Sequence, residues 1–167
     1  MVSLAFRNFG SEEGISLYIH LPFCESLCTY CGCTKRITKN HSVEGRYIDA
    51  VLTEWNKYLA LFGKKPKLAG IHLGGGTPTF FAPEALHTLL SSIISSSEVL
   101  DHAEFSFEGH PNNTTAEHLS RLASLGFDRV SYGIQDFDKQ VQRAIHRIQP
   151  VYKVREATEN ANFEGWH

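Results

Sequence analysis

Residues 17–33 read LYIHLPFCESLCTYCGC. The opening run, Leu17–Leu21, is short, apolar and aromatic and is stopped by Pro22, which predicts a buried strand feeding straight into a loop. That loop carries Cys24, Cys28, Cys31 and Cys33, all the cysteines of a 167-residue chain. Downstream, Ile48, Val51, Leu52, Trp55 and Leu59 fall at the spacing of an amphipathic stripe, predicting a helix over 44–62 with Gly63 as its stop. Strand, loop and helix form one βα unit.

The same rhythm repeats. A strand at Gly70–Leu73 runs into Gly74-Gly75-Gly76-Thr77-Pro78, then into a helix opened by Pro83 and Glu84 with Leu86, Leu89, Leu90, Ile93 and Ile94 on one face. A third strand, Glu104–Glu108, leads through Pro111 to Thr114–Glu117, which has capping-box spacing, and to Leu119, Leu122 and Leu125 before Gly126. The fourth strand is Arg129–Ile134, followed by helices around Asp138–Ile145 and Tyr152–Asn162, with a break at Pro150. Successive βα units predict an α/β fold with a parallel sheet and right-handed crossovers. Residues 1–16 lack any sustained period and read as a lead-in. The serines of Ser91–Ser97, interrupted by Ile93 and Ile94, read as a solvated helix face. Four parallel strands leave unpaired edges, so the pattern predicts a partner or a longer barrel.

Composition narrows the function classes. With 16 Lys+Arg against 18 Asp+Glu and a formal charge of -2, there is no like-charge block to attract nucleic acid or anionic lipid. No apolar run approaches the roughly 20 residues that cross a bilayer, and no signal-like N-terminal stretch is visible. The expectation is a cytoplasmic protein with neither nucleic acid nor membrane as partner. In a reducing compartment, four clustered cysteines read as a metal or redox site.

In parallel α/β proteins, chemistry collects at the C-terminal ends of the strands. Here the first strand delivers Cys24, Cys28 and Cys31 in CxxxCxxC spacing, the second the glycine run, the third Glu108 and the fourth Gln135. The bare glycine backbone is expected to approach a ligand closely and to present N–H donors. Three thiolates on one short loop suit three irons of a cubane with the fourth iron open, whereas structural zinc takes two separated ligand pairs. Cys33 supplies a fourth thiolate and keeps zinc as the alternative. Taken singly, Glu108 reads equally as a strand terminus, Gly74–Gly76 as a tight turn, Tyr18 and Tyr30 as packing residues, and Gln135 and Arg147 as surface residues. No histidine is assigned to metal, because solvation or core hydrogen bonding accounts for a lone one.

Several separate motifs occur together in order: Tyr18–Cys24 (YIHLPFC) with CxxxCxxCxC, Gly74–Thr79 (GGGTPT), Ser131–Phe137 (SYGIQDF) and His146-Arg147. Over about 16–162 the chain thereby resembles the oxygen-independent coproporphyrinogen III oxidase family of radical S-adenosylmethionine (SAM) enzymes. The resemblance implies that 17–167 is part, about four βα units, of an open TIM-like barrel, ending before the remaining strands and C-terminal domain. It implies a [4Fe–4S] cluster on Cys24, Cys28 and Cys31, with Cys33 outside the ligand set. It further implies SAM held by Tyr18, Tyr30, Gly75, Gly76, Thr77, Glu108, Gln135 and Arg147. Backbone donors and an Arg suit a carboxylate, and a Glu accepts from ribose hydroxyls.

The reaction so implied is an oxidoreductase step of porphyrin and haem biosynthesis. An electron from a flavodoxin- or ferredoxin-like donor cleaves SAM, and the resulting 5′-deoxyadenosyl radical takes hydrogen from a propionate. Carbon dioxide then leaves, converting coproporphyrinogen III to protoporphyrinogen IX in two turns. The cofactor carries the chemistry, and the protein binds, orients and excludes water. The sequence departs from the family in its short lead-in, in the missing later strands, and in His110, where Asp or Asn is usual. Two alternatives therefore accompany the oxidase reading: a haem chaperone-like radical SAM protein, and a fragment that binds cluster and SAM without catalysis. Cys33 and Gln135-Asp136-Phe137 favour the oxidase type, since the chaperone-like proteins usually carry Phe in place of Cys33.

Overall fold

The structure, a computed structural model, describes residues 13–163 and 165–167. Most of the lead-in expected over 1–16 lies outside the described residues. Four parallel strands, β1 (Ile15–Leu21), β4 (Lys67–Gly75), β5 (Glu98–Gly109) and β6 (Arg129–Tyr132), form one sheet in the order β1-β4-β5-β6. Two short strands, β2 (Phe23–Cys24) and β3 (Arg36–Ile37), pair in parallel across the ends of the cysteine loop. The helices are α1 (Val43–Phe62), α2 (Pro83–Ser95), α3 (Ala116–Ala123), α4 (Lys139–Ala144) and α5 (Val151–Phe163), with a 3₁₀ turn at Pro78–Phe80. The α/β architecture and its four βα units match the sequence expectation.

Strand pleat decides what each face does. Ile19, Leu73 and Phe107 lie side by side in register, as do Ile71 and Phe105, and all are buried on the face that the helices cover. Leu86, Leu89, Leu90 and Ile93 of α2 and Leu119 and Leu122 of α3 pack into this core. The opposite face is polar: Tyr18 is level with His72, and His72 with Ser106, whose Oγ lies 2.8 Å from His72 Nδ1. Tyr18 is 59% exposed and stacks on His72. The first strand is thus half-buried, not buried as its apolar run suggests.

Helix ends follow local chemistry. Gly63 takes φ +66 and donates its N–H to Leu59 O, closing α1 as its position implied. The capping box of α3 is displaced by one residue from the sequence reading. Thr115 is the N-cap, and the N3 partner is His118 rather than Glu117. His118 Nε2 donates to Phe81 O, so its Nδ1 is free to accept from the Thr115 N–H. Thr114 instead donates to Thr79 Oγ1 or His110 O inside the core. Strand β6 ends at Tyr132, two residues short of the expected Ile134. At the far edge, His167 donates to Asp128 O and accepts from the Val130 N–H, the pattern of a residue adding in parallel beside β6.

Candidate functional site

The loops after β1, β4, β5 and β6 meet over the sheet's C-terminal edge and enclose a cleft of about 550 Å³. Cys24, Cys28, Cys31, Tyr30, Gly75, Gly76, Thr77, Glu108, Gln135 and Arg147 all line it. Tyr18 is the exception among the sequence candidates. It lies one strand layer below, on the polar sheet face, where a Cβ on Gly74 would come within 2.9 Å of its ring and 3.3 Å of the Glu108 carboxyl carbon. Cys33 also borders the cleft, although it is exposed.

The cysteine loop is held at several points. β2 and β3 close its base, and His20 Nε2 donates to Thr34 O at 2.7 Å. Lys35 Nζ donates to Cys31 O, and Thr29 donates through its N–H to Ile145 O and through its hydroxyl to Ala144 O, tying the loop to the end of α4. These ties leave the thiols facing one space. Burial pushes the Cys24 thiol's pKa up; a hydrogen bond from Thr77 Oγ1 at 3.4 Å opposes this, while the nearby Cys31 and Cys28 add to it. Burial likewise raises Cys33, with its neighbour Cys31 the next cause. Among the described residues, no three His, Cys, Asp or Glu side chains converge closely enough to hold a single metal ion.

The glycine run acts differently from the sequence expectation. The Gly76 N–H donates to Leu21 O at 2.8 Å and the Thr77 N–H to Phe23 O at 2.9 Å. These two donors are consumed by the strand-to-loop backbone, so they do not serve a ligand. What glycine permits is close approach: a Cβ on Gly75 would lie 2.6 Å from the His20 ring, and Gly75 itself sits at φ +110.

Across the cleft, Arg147 Nη2 donates to Gly133 O at 2.8 Å and Nη1 lies 3.8 Å from Cys28 Sγ. Its Nε is buried and has no hydrogen-bond partner among the described residues. A guanidinium beside the Cys28 thiol at the cleft suits a carboxylate or a thiolate-bound cluster. His110, which also lines the cleft, accepts the Asn112 N–H at Nδ1, doing with an imidazole what an Asp or Asn oxygen does in an Asx turn. Burial, and then the Arg147 charge, push its pKa down to about 4, so the ring is neutral at neutral pH, and the Asn112 bond to Nδ1 assigns its proton to Nε2.

Sequence reasoning did not single out the buried pair Gln142 and Gln149 or the buried Glu44. Glutamine and glutamate usually face solvent, and nothing in their spacing distinguishes these three.

A four-stranded parallel sheet of βα units whose first strand runs into a CxxxCxxC loop is the arrangement of a radical SAM protein. The superfamily's model matches residues 18–167, and the chain belongs to the radical SAM superfamily. A [4Fe–4S] cluster and SAM are the cofactors this membership implies. Among curated proteins, it is 41% identical over 162 residues to the oxygen-independent coproporphyrinogen III oxidase of Helicobacter pylori, covering 95% of this chain and 35% of that protein. The enzyme of the same name from Synechocystis is 35% identical over 94% of this chain and 35% of its own length. Among solved structures, coproporphyrinogen III oxidase (HemN) from Escherichia coli, described as a radical SAM enzyme, superimposes with a TM-score of 0.90 at 32% identity. That match covers 99% of this chain and 38% of the Escherichia coli chain. The chain thus spans about a third of the length of the relatives it matches.

Proposed function

We propose that residues 17–167 form the cluster- and SAM-binding part of an oxygen-independent coproporphyrinogen III oxidase. The reading takes Cys24, Cys28 and Cys31 as ligands of the [4Fe–4S] cluster. It takes Tyr30, Gly75, Gly76, Thr77, Glu108, Gln135 and Arg147 as the SAM-binding set, joined by Tyr18 from the adjoining sheet face. The observation that carries it is the convergence of three thiols, the Arg147 guanidinium and the Glu108 carboxylate on one cleft.

Each side chain has work suited to its type. The Arg147 guanidinium, which borders the cleft, supplies charge-assisted donors for a carboxylate, and Glu108 accepts from hydroxyls. The Thr77 hydroxyl donates to Cys24 Sγ and favours its thiolate. Gly75 lets the β4 end pack against the His20 ring, and Gly76 lets it approach the Pro22–Phe23 backbone that leads into the cysteines. The bound cofactors supply one-electron cleavage of SAM and abstraction of a substrate hydrogen.

For the whole protein, the reading implies a porphyrinogen substrate, coproporphyrinogen III, converted to protoporphyrinogen IX in haem biosynthesis. It also implies a flavodoxin- or ferredoxin-like electron donor and a cytoplasmic setting without membrane or nucleic-acid partners. The names of the relatives support the substrate; among the described residues no helix is long and apolar enough to cross a membrane. A second reading is binding of cluster and SAM without turnover. A haem chaperone-like role is the remaining alternative.

The test is electron paramagnetic resonance of the anaerobically reconstituted, dithionite-reduced protein with and without SAM, alongside iron, sulfide and zinc analysis. A cubane signal that shifts on adding SAM is expected. Zinc in place of iron, or a signal indifferent to SAM, overturns the reading.

A further inference from the structure

Arg147 and Gln135 reach the cleft from two irregular segments, the loop after β6 and the link between α4 and α5. Irregular backbone needs something to fix it, and two glutamines do so. Gln142 and Gln149 are only 5% and 1% exposed, an unusual burial for this residue type. Gln142 Nε2 donates to Asp136 O at 2.7 Å and to Gln149 O at 3.1 Å, while its Oε1 accepts the Gln149 N–H at 3.1 Å. One side chain thus pairs with the backbone of both segments. Gln149 Nε2 then donates to Gly133 O at 3.0 Å, the same carbonyl that receives Arg147 Nη2.

The backbone between them is bent to suit. His146 is the one described non-glycine residue at positive φ, +52, and it follows Ile145, the C-cap of α4. Its N–H donates to Arg143 O, and the Arg147 N–H to Gln142 O at 2.9 Å, the paired bonds of a left-handed helix stop. The turn sends Arg147 back over Gly133, where the shared carbonyl fixes the guanidinium plane beside Cys28.

We infer that Gln142 and Gln149 are positioning residues, locking the β6–α4 loop to the α4–α5 link so that the Arg147 guanidinium is held in place for the carboxylate of SAM. This rests on the proposed SAM site and adds to it the device that orients one of its residues. Neither glutamine borders the cleft, so any effect on SAM must pass through Arg147 or Gln135.

The experiment is a double-mutant cycle on the reconstituted full chain, reading the SAM concentration that half-converts the reduced-cluster EPR signal. Gln149→Met keeps volume and removes the donor to Gly133 O. We expect it to retain iron and to need about ten-fold more SAM or beyond, the loss of an oriented charge-assisted contact. In the Arg147→Ala background the same change is expected to have little further effect. Gln142→Glu keeps the acceptor for the Gln149 N–H and loses both donors, so it serves as the second probe should Gln149→Met fail to assemble a cluster. A wild-type signal that responds to SAM but is untouched by both variants overturns the inference alone. So does an equal loss with and without Arg147, which marks a general structural role. A wild-type signal blind to SAM overturns the site and the inference together.

Discussion

A Cβ placed on Gly76 would lie 2.7 Å from both the carbonyl carbon and the oxygen of Pro22. The obstacle is backbone, at the point where β1 passes into the cysteine loop, and it cannot rotate aside like a side chain. The Gly76 N–H bond to Leu21 O fixes the approach from the other side. Gly76→Ala is expected to cost about 1–3 kcal/mol of stability, the range for overpacking a close contact, and to lower the iron retained after reconstitution. Gly63→Ala is the control. Its added Cβ meets nothing within 4 Å, so only the strain of φ +66 counts, about 1 kcal/mol, with iron content unchanged. Urea denaturation and iron analysis of the two variants decide it, and equal iron in both sinks the idea that Gly76 sets the loop.

His110 makes the fold sensitive to acid. Its pKa is about 4 when folded, against 6.5 as a free side chain, because burial and then the Arg147 charge disfavour the imidazolium. Between those two values the unfolded chain binds more protons, so stability is fully present above pH 6.5 and is lost as pH falls toward 4. The loss reaches at most about 3 kcal/mol at the acid end. His110→Asn keeps an acceptor for the Asn112 N–H and removes the titration. It is expected to match the wild type at pH 7.5 and to unfold less readily at pH 5, read from urea midpoints at the two pH values. An unchanged acid slope in the variant would place the lability elsewhere, with His118, whose pKa burial also lowers, the next candidate.

Much of this architecture is legible in the order of residues, because strand ends and helix starts carry local signatures. Gly63, Pro83 and Asp138 stop or open their helices where their chemistry says they should. The site was legible for a different reason: parallel strands bring their C-terminal loops together, so Cys24, Glu108 and Gln135 meet despite their separation in sequence. What escaped depends on tertiary partners. Thr115 rather than Thr114 caps α3 because His118 is anchored by Phe81 O, 37 residues away. The polar sheet face lies hidden in LYIHL because tyrosine and histidine count as strand-like whether they meet core or solvent. Donors read from the glycine run were already spoken for by Leu21 and Phe23, which no local pattern reveals.

The four cysteines are not equivalent. Cys24, Cys28 and Cys31 are partly enclosed at the cleft, whereas Cys33 is exposed beside Cys31. Cys28→Ser is expected to abolish cluster assembly, since serine is a poor substitute for a soft thiolate, and Cys33→Ser to spare most of it. Iron and sulfide per chain after anaerobic reconstitution measure both. Equal iron loss in the two variants would falsify the three-thiol assignment and return the four-thiolate zinc site to consideration.

Glu44 is a buried carboxylate outside the cleft, and its partners explain the burial. Its Oε2 accepts the Ala82 N–H at 2.9 Å, where the chain turns into α2, and its Oε1 accepts from His41 Nδ1 at 2.6 Å. His41 in turn stacks on Phe80 with ring centroids 4.4 Å apart. One side chain thus joins the start of α1 to the 3₁₀ turn that follows the glycine run. Glu44→Ala leaves the Ala82 N–H without its acceptor and frees His41, an expected loss of about 2–3 kcal/mol in urea denaturation at pH 7.5. Glu44→Gln retains an acceptor for Ala82 and is expected to lose less than half as much. Because Glu44 does not border the cleft, iron content and the SAM response of Glu44→Gln should equal the wild type's well below its unfolding midpoint. A stability change under about 0.5 kcal/mol for Glu44→Ala would show that solvent replaces both bonds, and a lost SAM response in Glu44→Gln would tie this residue to the site itself.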